Sequence, residues 1–205
     1  MGVDVPKQFL GLAGKPILVH TLEHVLELEN VIQVVVALPR RHIPQAREIL
    51  GRRRWRLPVT CVPGGPSRQE SVRRAVAHTI GDSDIILVHD AVRPLCARET
   101  MERVVQAAWL RGGAVPGLPA KETIQRVSRA SRVLATPPRE ELYAIQTPQC
   151  FRAAILREAL ERAHREGFSG TDESSVVRWA GHPVVVVPGS PVNIKITSPL
   201  DLDIA

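Results

Sequence analysis

Apolar positions along this chain alternate between two rhythms. Ile17, Leu18, Leu22, Val25 and Leu26 recur at helical spacing, and VIQVVVAL at 31–38 follows as a nearly continuous β-branched run, the pattern of a strand buried on both faces. A second helix is predicted at about 43–53. PVTCV then leads to Gly64-Gly65, after which Ser67 and Glu70 read as an S-x-x-E capping box opening a helix through VRRAVAH. DIILVHD at 84–90 repeats the buried-strand pattern, and ETMERVVQAAWL repeats the helical one. Strand and helix alternating in this way predict an α/β fold on a parallel, doubly wound sheet.

The rhythm breaks after GAVPGLPA. KETIQRV and SRVLATPPREELYAIQTPQ carry polar alternation, paired prolines and no core stripe, so 118–147 is predicted to leave the body as an arm or extended hairpin. Helical spacing returns with Ile155, Leu156, Ala159, Leu160 and Ala163, and a short helix is expected from Asp172, capped by Thr171 or Asp172. HPVVVVPG and NIKITSPLDL read as two final strands. The expectation is a single domain over 1–205 with one excursion. Ligands of open α/β sheets collect at the carboxyl ends of strands. Gly64-Gly65-Pro66-Ser67-Arg68 and His89-Asp90-Ala91-Val92-Arg93 are therefore expected on one rim.

With 44% apolar residues, a chain of 205 can bury a sizeable core. No apolar run reaches the roughly 18 residues of a membrane span and the start lacks a signal-peptide pattern, so a cytoplasmic address and no membrane partner are expected. Cys61, Cys96 and Cys150, odd in number and widely spaced, read as reduced, small apolar residues. A net charge of +6 fits nucleic acid, a membrane surface or small anions. The one dense run, Arg52-Arg53-Arg54-Trp55-Arg56, reads as a solvated helix end, and seven aromatic residues leave little for stacking bases. Phosphate-bearing small molecules fit the charge; no nucleic-acid partner is expected.

Gly64 and Gly65 permit close backbone approach to a flat or anionic ligand beside the N–H groups of the next helix, or form a tight turn with no ligand. Asp90 at a strand end can bind a divalent cation or cap a turn, with Arg93 as an anion clamp. The chain keeps four lysines among twenty-seven basic residues, and Lys7 and Lys195 are candidates for phosphoryl oxygens whose charge grows in a transition state. Lys195 is expected in a strand, with Ile194 and Ile196 turned to the core. The histidines show no ligand spacing, and no G-x-S-x-G, P-loop or G-x-G-x-x-G is present, which argues against a hydrolase triad, a kinase or a dinucleotide enzyme.

Taken in order, PKQFL, GKPIL-x-H, GG-x-x-R-x-x-S-V, HDAVRP, ETI, R-x-x-L-Y-x-x-QTPQ, GTDESS and NIKIT resemble the 2-C-methyl-D-erythritol 4-phosphate cytidylyltransferase family from Val5 to Asp203. The resemblance implies a Rossmann-like nucleotidyltransferase three-layer sandwich with a mostly parallel central sheet and an extended β-arm for dimerisation. It also implies transfer of CMP from CTP to 2-C-methyl-D-erythritol 4-phosphate with Mg2+ or another divalent cation, release of pyrophosphate, and no covalent intermediate. By the same resemblance Lys7 and Lys195 contact the CTP phosphates. Gly64, Gly65 and Ser71 line the cytosine pocket, with Asp90 and Ala91 in the nucleotide region and Asp90 as metal ligand. Arg93, Thr123, Arg139 and Thr171 belong to the methylerythritol phosphate site, with Thr123 and Arg139 completing the site of a second subunit in a homodimer.

Two departures from the family pattern stand out. Glu122 replaces the family's usual Asp before the arm threonine. The family's strand and loop of the form L-A-A-G-x-G-x-R, normally just ahead of Met-Gly, does not occur in the sequence. MGVDVPKQFL then reads as the second half of a triphosphate-binding loop, and the expectation is a truncated or misassigned reading frame of a complete enzyme, short also of the family's terminal helix. The rivals are a ribitol-5-phosphate cytidylyltransferase, which shares PKQFL, GG-R and TPQ, and a non-catalytic CTP-binding remnant.

Overall fold

Residues 6–205 are described by the computed structural model; the part of the expected half-loop that falls on residues 1–5 lies outside them. A 3-10 turn at Lys7–Phe9 leads into a small hairpin, β1 (Gly11–Leu12) and β2 (Lys15–Pro16). Then follow α1 (Ile17–Leu26), β3 (Val34–Leu38), α2 (Ile43–Gly51), β4 (Val59–Pro63), α3 (Arg68–Val76), β5 (Ile85–Val88), α4 (Arg98–Arg111) and β6 (Gly113–Pro119). The arm carries β7 (Arg126–Val127), β8 (Val133–Ala135) and β9 (Tyr143–Ile145). The chain returns through β10 (Gln149–Arg152), α5 (Ala153–Glu166), α6 (Glu173–Trp179), β11 (Val185–Pro188) and α7 (Pro199–Ile204).

The main sheet has the order β11-β6-β10-β5. β11 pairs parallel with β6, and β10 runs antiparallel to both neighbours, so β5, β6 and β11 all point the same way. β3 and β4 form a parallel pair from Val34 opposite Val59 to Leu38 opposite Pro63. The expected α/β sandwich with mostly parallel strands is present, with β10 and, on the edge of β6, β9 as the reversed strands.

Period-two alternation explains the layers. Ile86, Val115 and Phe151 face α3, α5 and α6, where they meet Val76, Leu156, Leu160 and Val176. Their neighbours Ile85, Leu87, Ala114 and Cys150 face the opposite side, against Val104 and Ala108 of α4. Full burial of a side chain such as Phe151 or Leu160 is worth roughly 1.5–3 kcal/mol, so the two helical layers fix the register of the sheet between them. A second cluster gathers β3, α1 and α2 around Leu18, Leu22, Val36 and Leu50. All three cysteines are buried and free, and among the described residues no helix is long and apolar enough to cross a membrane.

Three expectations need correction. NIKITSPLDL is not a strand: Ile196 is buried through a loop whose N–H donates to Val92 O at 2.9 Å, and Ser198 then caps α7 in a capping box with Asp201. Ser198-Pro199-Leu200-Asp201 is a helix start, with Pro at the first helical position, and it wins over the β-branched alternation before it. At α3, Ser67 does accept from Glu70 N–H, but the Glu70 carboxylate turns to Arg73 and Arg74 instead of closing a capping box. The arm is shorter than 118–147, because β9 pairs with the end of β6 and Gln146 and Thr147 are buried in the body.

Candidate active site

Three loops converge at the carboxyl ends of β4, β5 and β11. At the first, Gly64 N–H donates to Leu38 O at 2.8 Å and ties the ends of β4 and β3 together. A Cβ on Gly65 would stand 2.2 Å from Glu70 Cγ, and one on Gly64 would stand 2.9 Å from Ser71 Oγ, so the first turn of α3 packs too closely for a side chain at either position. Ser71 Oγ accepts from Gly65 N–H at 3.0 Å and donates to Ser67 O at 2.8 Å, which pins the glycine turn against the helix.

Asp90 lies at the centre. Its Oδ2 receives Lys195 Nζ at 2.9 Å and faces Arg93 Nε at 3.5 Å, while Oδ1 faces Arg68 Nη2 at 3.3 Å. Burial alone would raise the Asp90 carboxyl, but the Lys195 hydrogen bond and the charges of Arg68, Lys195 and Arg93 outweigh it and hold the group below its ordinary value. Arg68 also donates through Nη1 to both carboxylate oxygens of Glu173, at 2.7 and 2.9 Å. The Glu173 side chain is 1% exposed; burial pushes its carboxyl up, and Arg68 offsets part of that rise.

His89 is a brace for this loop. Asp90 N–H donates to Thr147 Oγ1 at 3.0 Å, so the threonine hydroxyl donates onward to His89 Nδ1 at 2.9 Å and His89 Nε2–H donates to Arg93 O at 3.2 Å. Burial lowers the imidazole to about 4, and it stays neutral at pH 7.

The last loop brings Lys195 over Asp90. Buried Asn193 donates to Thr147 O at 2.8 Å, and its own carbonyl accepts from Arg93 Nη1 at 2.6 Å. Lys7 Nζ donates to Thr197 O at 2.8 Å, so both candidate lysines meet on one segment. Ala91 O accepts from Thr21 Oγ1 of α1 at 3.0 Å. Three cations, Arg68, Arg93 and Lys195, therefore face two carboxylates, and Lys7 adds a fourth positive charge on the Thr197 carbonyl, two residues from Lys195, a balance suited to a polyphosphate ester.

Thr171, Thr123 and Arg139 are not brought together within the chain. Exposed Thr171 precedes α6, whose cap is Asp172, held by Gln149 at 2.8 Å; Gln69 of α3 grips Phe168 O and Gly170 N–H. Thr123 and Arg139 sit on the exposed arm. Arg139 reaches Lys121 O at 3.4 Å, and among the described residues neither makes a hydrogen bond or ion pair to the rim. Arg68, Gln149, Glu173 and Asn193 all stand inside motifs legible in the sequence, but the motifs give none of them a role. Their pairings span from 22 to 105 positions and leave no periodic signal.

The basic run 52–56 is taken up by the fold. Arg53 pairs with Glu23, Arg52 pairs with Glu48, and Arg56 donates to the carbonyls of Leu26 and Leu28 at the end of α1. Among the described residues no cluster of three or more His, Cys, Asp or Glu is placed to hold a metal ion. Asp90 is a lone carboxylate there, of the donor type that a hard divalent cation takes.

Comparison with known proteins gives one consistent outcome. The IspD family model, 2-C-methyl-D-erythritol 4-phosphate cytidylyltransferase, matches residues 1–205. The enzyme of that name from Acidobacterium capsulatum is 46% identical over 204 residues, covering 98% of this chain and 85% of the relative. Its counterpart from Solibacter usitatus is 42% identical, over 97% and 83%. The crystal structure of the Thermus thermophilus 2-C-methyl-D-erythritol 4-phosphate cytidylyltransferase superposes with a TM-score of 0.83 at 34% identity, covering 98% of this chain and 92% of that one.

Proposed function

The chain belongs to the 2-C-methyl-D-erythritol 4-phosphate cytidylyltransferase family, and from that premise we infer that its rim joins CMP from CTP to the phosphate of 2-C-methyl-D-erythritol 4-phosphate. The products are 4-diphosphocytidyl-2-C-methyl-D-erythritol and pyrophosphate, in isoprenoid biosynthesis. The observation that carries the assignment of roles is Asp90 ringed by Lys195, Arg68 and Arg93 beside the two-glycine turn.

An oxygen of the polyol phosphate attacks the α-phosphorus of CTP. The bond from that phosphorus to the bridging oxygen breaks, and pyrophosphate leaves with the electron pair. The protein's work is to position two anions and offset the charge that gathers between them. Lys195 turns from Asp90, and Lys7 from Thr197 O, to phosphoryl oxygens. Gly64, Gly65 and Ser71 offer backbone and hydroxyl groups to the cytosine edge, with Ala91 at the nucleotide side of the rim. Arg93, whose buried Nε has no hydrogen-bond partner among the described residues, and exposed Thr171 face the polyol phosphate. A divalent cation such as Mg2+, when bound, offsets phosphate charge, and Asp90 is the residue that would hold it.

Thr123 and Arg139 serve the second subunit of a homodimer. What supports this reading is the arm itself: Ile124, Val127, Val133 and Leu134 are exposed there, an apolar surface suited to burial against a second copy. The test is pyrophosphate release by the purified chain with CTP, Mg2+ and either methylerythritol phosphate or ribitol 5-phosphate. Turnover at least about tenfold faster with methylerythritol phosphate is expected. Equal or faster use of ribitol phosphate overturns the substrate assignment, and CTP binding without release of pyrophosphate with either polyol phosphate overturns the catalytic one.

A further inference from the structure

Asp90 is held from two sides, and the two holds differ in kind. Lys195 reaches Oδ2 from a side chain that is 41% exposed, on a loop. Arg68 reaches Oδ1 from the first residue of α3, and its other end is fixed on Glu173, which is 1% exposed and has Arg68 as its one ion-pair partner among the described residues. When Lys195 turns to a phosphoryl oxygen, Asp90 loses its closest partner. A carboxylate that is 12% exposed and held by one partner fewer would be free to follow the lysine, and the ion pair would close again. The Arg68 guanidinium prevents this: it spans two carboxylates from a rigid helix start, and its planar fork cannot turn toward one without leaving the other.

We propose that Arg68 is a positioning residue for CMP transfer, anchored by Glu173, which keeps Asp90 in place while Lys195 moves to the phosphates. The proposal rests on the reading above, in which Asp90 and Lys195 serve the transfer. The same guanidinium ties the loop that follows β4, on the cytidine side, to the start of α6, on the polyol side. Glu173 acts only through Arg68, and Arg68 acts on the reaction only through Asp90.

The competing role is a plain ion pair docking α6 on α3, and kinetics separate the two. Pyrophosphate release is measured for Arg68→Gln, Arg68→Lys, Glu173→Gln, Asp90→Asn and the double variant Arg68→Gln/Asp90→Asn, each with its thermal midpoint. Arg68→Gln should lower kcat about 30-fold with both KM values within about threefold, and Arg68→Lys should recover little because an ammonium cannot span both carboxylates. Glu173→Gln, close to isosteric, should lower kcat about fivefold with the midpoint moved by no more than about 3 °C. The double variant should fall within about twofold of Asp90→Asn alone. Losses that multiply in the double variant overturn the proposal, as does Glu173→Gln with wild-type kcat in a folded protein. Wild-type turnover by Asp90→Asn removes the premise itself, a result distinct from either.

Discussion

The rim and the arm belong to one chain and are held by different means. On the rim, Gln146, Thr147, Gln149, Glu173 and Asn193 are buried polar residues, each paired with groups on other elements, so the loops that carry Asp90 and Lys195 are fixed from within. On the arm, Val133 and Leu134 are more than half exposed, and Arg139 is 60% exposed with its contacts confined to the arm. A site built on the rim is pre-organised before any ligand arrives. The arm residues have no such buried polar support within the chain.

That contrast can be broken from either side. The largest effect belongs to the rim: Lys195→Ala should lower kcat by about 10²–10³-fold, with the circular dichroism spectrum unchanged, since its ammonium is a donor to developing charge. Wild-type turnover would exclude Lys195 from the transition state. Next comes Arg139→Ala, which should raise KM for the polyol phosphate by about 10–100-fold and leave CTP affinity within about twofold. Mixing Arg139→Ala with Lys195→Ala under exchange conditions should then recover about a quarter of wild-type activity, because half of the dimers carry one intact composite site. No recovery would place both residues in the same subunit's site.

A smaller change is expected from Val133→Asp combined with Leu134→Asp. Sedimentation at micromolar concentration should shift from dimer to monomer while the thermal midpoint of the body moves by less than about 3 °C, because these side chains contribute nothing to its cores. The smallest concerns α3. Hydrogen bonds from Arg73, with lesser help from Arg74, hold the Glu70 carboxyl at about 2, below its ordinary value of 4.5. Its folded-state value is depressed, so its stabilisation is complete above 4.5 and is lost as pH falls toward 2. Urea unfolding over that range should show a shallower acid loss in Glu70→Gln than in the parent.

Periodic features of this molecule were open to sequence reading, and the pairings between distant loops were not. The continuous apolar run in DIILVHD, whose side chains alternate between the two helical layers, places β5, and the spacing of Leu156, Ala159, Leu160 and Ala163 places α5, because burial on a face repeats with the geometry of the element. Ile194 and Ile196 mimic that alternation while lying in a loop, since one buried isoleucine needs no ladder when its N–H finds Val92 O. Arg68 with Glu173, and Asn193 with Thr147, are set by tertiary packing alone. Motif order located the rim, but only coordinates show that Arg68 spans it.

The root of the arm has a mechanical consequence. β9 ends at Ile145, and two residues later Thr147 accepts the Asp90 N–H, immediately before the chain enters β10, which is flanked on both sides by β5 and β6. The arm is thus a lever whose fulcrum is clamped in the middle of the sheet, one hydrogen bond from the central carboxylate. A tilt about residues 145–147 has two outlets: it breaks the Thr147 bond, or it carries the Asp90 backbone with it.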